Sequence, residues 1–136
     1  MDLPETVRVR LEPEADIIFA LLFGSVARGE QGPNSDLDVG VYVDERLGAR
    51  ERFDLRLSVA AALEELGQPD VIVLNDAPPL LAHRALQGKP VLTRDKGAYV
   101  RFFVRTLAMA EDERYFRAIF ARARRARVRE GRFGRP

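Results

Sequence analysis

Two carboxylates two residues apart, Asp36 and Asp38, follow a Gly24-Ser25 pair after ten intervening residues. Residues at that interval on a strand project from the same face, so the two aspartates stand side by side and repel each other. A divalent cation removes the repulsion. Compact, hard Mg²⁺ suits carboxylate and phosphate oxygens better than it suits imidazole or sulfur, and two such ions can share the pair. Upstream, Gly24-Ser25 ends an apolar run and opens an expected helix. Backbone N–H groups, the Ser25 hydroxyl and the helix dipole there form a cradle for a triphosphate. Gly24 lets the backbone come close with no Cβ in the way. Arg28, about one helical turn on, is placed either to neutralise phosphate or to form a surface salt bridge. Ser35 reads as a loop hydrogen-bonder that supports Asp36 and lies within reach of phosphate. Asp70, at the head of a later β-branched run, supplies a third carboxylate. Singly these aspartates would be turn or strand-end residues; the combination points to metal-assisted chemistry on a nucleoside triphosphate.

Several elements must position these groups. Ile17 to Phe23 (IIFALLF) reads as a buried strand, and Asp36 to Val43 (DLDVGVYV) as a second, alternating one. Gly29 to Ser35, with Gly32, Pro33 and Asn34, is the loop between them. Leu55, Val59, Ala62, Leu63 and Leu66 recur at helical spacing, and Gly67 stands where a helix terminates. Asp70 to Leu74 (DVIVL) is a third strand, expected to pair beside Asp36 to Val43. A turn through Asn75, Asp76, Pro78 and Pro79 leads into a short helix ending near Gln87 and Gly88. Val91 and Leu92 suggest a brief edge strand, and Asp95 an N-cap for a long final helix. That helix carries Tyr99, Phe103, Leu107 and Met109, then Phe116, Ile119 and Phe120, read as core with some left over for a partner. His83, among Leu80, Leu81 and Leu86, is a packed or surface imidazole and receives no chemical role.

Composition bounds the rest. With 136 residues and 46% hydrophobic side chains, the chain fits a single domain spanning 1–136. Without cysteine there is neither a disulfide framework nor a thiolate metal site. No signal-like leader and no membrane-length apolar run is apparent, so a cytoplasmic protein is expected. The formal net charge of +1 hides an arginine-rich stretch over 122–136, expected to fray or to remain disordered.

The segment GSVARGEQGPNSDLDVGV, followed by Asp70, resembles the DNA polymerase β-like nucleotidyltransferase superfamily. It is most similar there to the small bacterial minimal nucleotidyltransferases of the MntA antitoxin type. The resemblance covers Ile17 to about Asp95 and implies an α/β palm: a mixed sheet, flanking helices and a long C-terminal helix. By position it makes Asp36 and Asp38 ligands of two Mg²⁺ ions, with Asp70 completing the site beside the attacking nucleophile and helping to deprotonate it. Gly24 and Ser25 would hold the β- and γ-phosphates. The implied reaction is in-line attack on the α-phosphorus of ATP with pyrophosphate leaving. The implied partner is a helical HEPN ribonuclease toxin, silenced by AMP on a tyrosine, in a homo- or hetero-oligomer.

Other readings remain open from the residues. A small acceptor such as an aminoglycoside would need an acidic pocket completed by a second subunit. A non-catalytic antitoxin would neutralise its partner by binding alone. Nucleic acid is not expected as a direct ligand, because the arginine-rich stretch is poor in aromatic stacking residues.

Overall fold

The computed structural model describes residues 2–24 and 36–129. Helix α1 (Leu3–Leu11) opens the chain, an element not expected from the sequence. Its start is capped by Asp2, whose carboxylate accepts from the Glu5 N–H at 2.9 Å, and a proline occupies the first turn, where its missing N–H does no harm. Strands β1 (Ile17–Phe23) and β2 (Asp36–Val43) follow. Helix α2 (Ala49–Leu63) tightens through a 3₁₀ turn, Glu64–Leu66, and stops at Gly67, whose φ of 153° is a glycine conformation. Strand β3 (Gln68–Val73) begins two residues before the expected start, and Leu74 leaves it for a second 3₁₀ turn, Leu74–Asp76. Helix α3 (Pro79–Leu86), strand β4 (Lys89–Thr93) and helix α4 (Lys96–Arg129) complete the fold. Asp95 caps α4 as expected, accepting from the Ala98 N–H at 3.1 Å.

The sheet order is β3-β2-β1-β4, with β1 antiparallel to both β2 and β4, and β2 parallel to β3. The mixed sheet, flanking helices and long final helix match the palm expected from the sequence. Each edge strand contains a proline, Pro69 in β3 and Pro90 in β4, a position where a missing donor is tolerated and further strand addition is discouraged.

Period-two alternation along β2 divides the core. Leu37, Val39, Val41 and Val43 join Val7, Leu11, Leu55, Val59 and Leu63 in an aliphatic layer under α1 and α2. Behind the sheet, Phe19, Leu21, Phe23, Leu74, Ala82, Ala85, Leu86 and Phe102 form the layer under α3 and α4. Its centre is aromatic: Phe19 stacks on Tyr42 with centroids 5.0 Å apart, and Tyr99 meets Phe19 edge-on at 5.2 Å, both favoured ring geometries. Gly40 faces Leu74 so closely that a Cβ there would lie 2.9 Å from Leu74 Cδ2.

Two side chains close the sheet. Asn75 donates to the Val43 carbonyl and accepts from the Val43 N–H, both at 2.9 Å, imitating a strand neighbour where β3 has ended. The Arg94 guanidinium donates to the carbonyls of Glu12, Glu14 and Ile17, pinning the α1–β1 connection to β4. Among the described residues no helix is long and apolar enough to cross a membrane.

Candidate active site

β2 begins where β1 ends, and the register aligns Phe23 with Asp38. On the other side the parallel register aligns Asp38 with Asp70, and Asp36 with Gln68. Asp38 and Asp70 therefore sit at the same level of neighbouring strands, with Asp36 one pleat earlier on the face of Asp38. The expected pairing of β3 beside β2 is the observed one. Asp36 and Asp70 are exposed and Asp38 is partly buried, so the acids grade from the solvent rim inward.

Gly24 is the residue that lets β1 end against these acids. Its φ of 76° is left-handed, and a Cβ there would overlap Asp38 Oδ2 and come within 3.2 Å of its Cγ. The left-handed backbone disfavours any residue but glycine, and a Cβ would have to displace the Asp38 carboxylate from its place. Ser25, Arg28 and Ser35, the other residues read as nucleotide-binding, lie outside the described residues.

The electrostatics follow from this crowding. Burial pushes the Asp38 carboxyl above the ordinary carboxylate range, and the negative charges of Asp70 and, to a smaller extent, Asp36 push it further. Arg84 on α3 acts in the opposite direction. This arginine was not singled out by sequence. It comes near because Gly88, one turn further along the chain, packs hard against β1: a Cβ on Gly88 would overlap the Leu22 carbonyl oxygen and lie 2.7 Å from Phe23 Cβ. Since Phe23 is the register partner of Asp38, the end of α3 is held beside the acids. The one signal in the sequence was a basic residue in the last turn of a helix that ends in glycine.

His83, next to Arg84, contacts Arg114 of α4 through Nδ1 at 3.2 Å. Arginine only donates, so Nδ1 is the acceptor in this contact. This contact ties α3 to α4 and uses the histidine structurally.

Among the described residues, no three carboxylate or imidazole side chains close around a single point at ligand spacing. The register gathers the acids at one end of the sheet without building a closed cage. Such an open, oxygen-only set suits a cation that keeps part of its water shell and shares its coordination with a substrate phosphate.

Acids grouped on adjacent strands of a mixed sheet, with a neighbouring strand ending in glycine against them, define a nucleotidyltransferase palm. Residues 5–97 match the family model described as polymerase beta, nucleotidyltransferase. The chain belongs to this nucleotidyltransferase family. It is 31% identical over 98 residues to the protein adenylyltransferase MntA of Shewanella oneidensis, an alignment covering 71% of this chain and 67% of that protein. Among solved structures it resembles a chain of a toxin–antitoxin crystal structure with AMP-PNP, with a TM-score of 0.71 and 22% identity over 90% of this chain and 98% of that one. A chain from the complex of tri-AMPylated Shewanella oneidensis HEPN toxin with MNT antitoxin gives a TM-score of 0.65 at 21% identity, covering 89% and 95% respectively. At these identities the structural likeness establishes the fold.

Proposed function

We propose that the chain is a Mg²⁺-dependent adenylyltransferase that moves AMP from ATP onto a tyrosine of a cognate HEPN ribonuclease toxin, and so acts as its antitoxin. The observation that carries the reading is the register of Asp38 with Asp70, with Asp36 on the same face and Gly24 against Asp38. The relative named protein adenylyltransferase and the toxin–antitoxin complexes of like fold support the choice of nucleotide and acceptor.

In this reading Asp36, Asp38 and Asp70 would hold two Mg²⁺ ions, and the burial and, after it, the repulsion by Asp70 and Asp36 that raise the Asp38 carboxyl are what a cation there would offset. Bound there, the ions would stabilise negative charge on the attacking and departing oxygens. Gly24 and Ser25 receive the β- and γ-phosphates through backbone N–H groups and the serine hydroxyl. Arg28 and Arg84 balance triphosphate charge, and Ser35 steadies Asp36. The tyrosine hydroxyl oxygen forms the new bond to the α-phosphorus as the α–β bridging bond breaks. Pyrophosphate leaves with that bonding pair, and Asp70 takes the phenolic proton.

The test is incubation with ATP, Mg²⁺ and the purified cognate HEPN protein, followed by intact-mass analysis. The expected result is a gain of one or more AMP units on the HEPN protein, absent with the Asp36→Asn/Asp38→Asn variant. A stable complex with no mass gain would replace this reading with neutralisation by binding alone. Transfer to a small aminoglycoside-like acceptor but not to the protein would replace the acceptor.

A further inference from the structure

Helix α4 is apolar on two sides. Phe102, Thr106 and Ala110 form its inward row, at most 5% exposed. Roughly a third of a turn round the helix, Val100, Phe103, Val104 and Leu107 form a second row at i, i+3, i+4 and i+7 that is 38–61% exposed. One buried stripe is what an ordinary surface helix presents; a helix apolar on a second side has something else to cover it. The same line continues as Glu111, Arg114, Ala118, Arg122 and Arg125. Glu111 is already paired with Arg114 at 3.8 Å, and from Arg114 to Arg129 the sequence has no carboxylate. The row is thus apolar where the helix lies on the body and cationic where it runs past.

We infer that this outer row of α4, from Val100 to Arg125, is a docking face for an amphipathic helix of a protein partner whose apolar stripe runs on into acidic residues. It spans roughly 38 Å of helix, long enough to seat one partner helix along its length. Charge decides the occupant. A second copy of this chain laid parallel on the row would set arginines against arginines, and laid antiparallel would set Arg122 and Arg125 against the apolar stretch from Val100 to Leu107, whereas an acidic partner segment matches the row along its length. Identifying that partner with the HEPN toxin rests on the function proposed above; the face itself does not.

The experiment measures binding of the cognate HEPN protein to the full chain and to two variants, Val104→Glu/Leu107→Glu and Arg122→Glu/Arg125→Glu, by calorimetry at two salt concentrations. All four side chains are exposed, so melting curves should match the unsubstituted chain. The first variant is expected to raise Kd by about thirtyfold or more, as loss of an apolar centre does. The second should raise it about tenfold and flatten its salt dependence. Unchanged Kd in both would overturn the inference. So would a dimer of the free chain that Val104→Glu/Leu107→Glu converts to monomer, since a second copy would then own the face. Wild-type binding without AMP transfer would remove the adenylyltransferase reading and leave the face standing. Transfer with unaltered Kd in both variants would do the reverse.

Discussion

One sheet carries two unlike faces. Under α1 and α2, Leu37, Val39, Val41 and Val43 of β2 meet only aliphatic neighbours and are at most 1% exposed. Behind, the alternate residues of the same strand are Asp36, Asp38, Gly40 and Tyr42, which pass from a charged rim through a glycine to an aromatic cluster. The backbone period of two assigns every second residue to one task. The first face supplies burial that needs no partner groups, and this lets the second hold like charges together at its end. A one-residue slip of β2 would send Asp36 and Asp38 into the aliphatic layer and away from Asp70 on β3, so the dry face also locks the register of the wet one.

Substitutions on each face should therefore fail in different ways. The largest effect is expected at the acids. On the proposed reading, Asp36→Asn with Asp38→Asn removes the carboxylate charge that would hold the cations and keeps shape, so AMP transfer should fall by about a thousandfold or more, with no loss of thermal stability. Retained Mg²⁺-dependent transfer would place the chemistry elsewhere. On the opposite face, Leu63→Ala truncates a side chain that is 0% exposed. It should lower unfolding free energy by roughly 2–5 kcal/mol in a urea titration while leaving kcat/KM per folded molecule unchanged. If Leu63→Ala instead lowered kcat/KM with little change in stability, the division of labour would be wrong.

How far the residues alone foretold this division varies with the range of the interactions. β1, β2, β3 and β4 were legible because their apolar runs are short, β-branched and bounded by turn residues. Helix α1 was not: Leu3, Val7 and Leu11 are spaced by charged residues in LPETVRVRL, and the periodic signal is too sparse, although Asp2 followed by Glu5 is a capping pattern that marks its start. The pairing of Asp36 and Asp38 was readable because it is local. The alignment of Asp70 with Asp38 depends on a parallel register formed across α2, and the approach of Arg84 depends on Gly88 packing against Phe23. Neither is written in a spacing. Of the α4 residues read chiefly as core, Tyr99 packs against the aromatic cluster, whereas Phe103, Leu107, Met109, Phe116, Ile119 and Phe120 are exposed, because the sheet is too short to cover a 34-residue helix; the buried Phe102 was not among those read.

Arg84 sharpens the comparison on the charged side. If it balances the triphosphate, Arg84→Ala should raise KM for ATP by about tenfold, as loss of one charge-assisted contact does, with kcat changed much less. Lysine at this position should restore part of the affinity. An equal fall in kcat at constant KM would assign Arg84 to the transition state instead.

The smallest effect expected is the most diagnostic of the trade between the faces. The Asp38 carboxyl titrates above its ordinary range because of burial and then the charges of Asp70 and Asp36. A carboxyl whose native pKa exceeds its unfolded one binds more protons when folded, across the window between the two values. Native stability from this group is therefore largest below the unfolded value, falls as pH rises through the window, and stays low at neutral pH. Glu5 and Asp44 act in the opposite sense at lower pH, since Arg8 and Arg46 hold their carboxyls down. Asp38→Asn removes the unfavourable charge, so the metal-free variant should be more stable than the unsubstituted chain at neutral pH. The gain is no more than about 1 kcal/mol for a group partly open to solvent, and the two curves should converge below the window. Calorimetric melts from pH 4 to pH 8 in chelator would measure it. A variant less stable at every pH would mean that Asp38 supports the fold, and that the acids are held by favourable contacts rather than against their own repulsion.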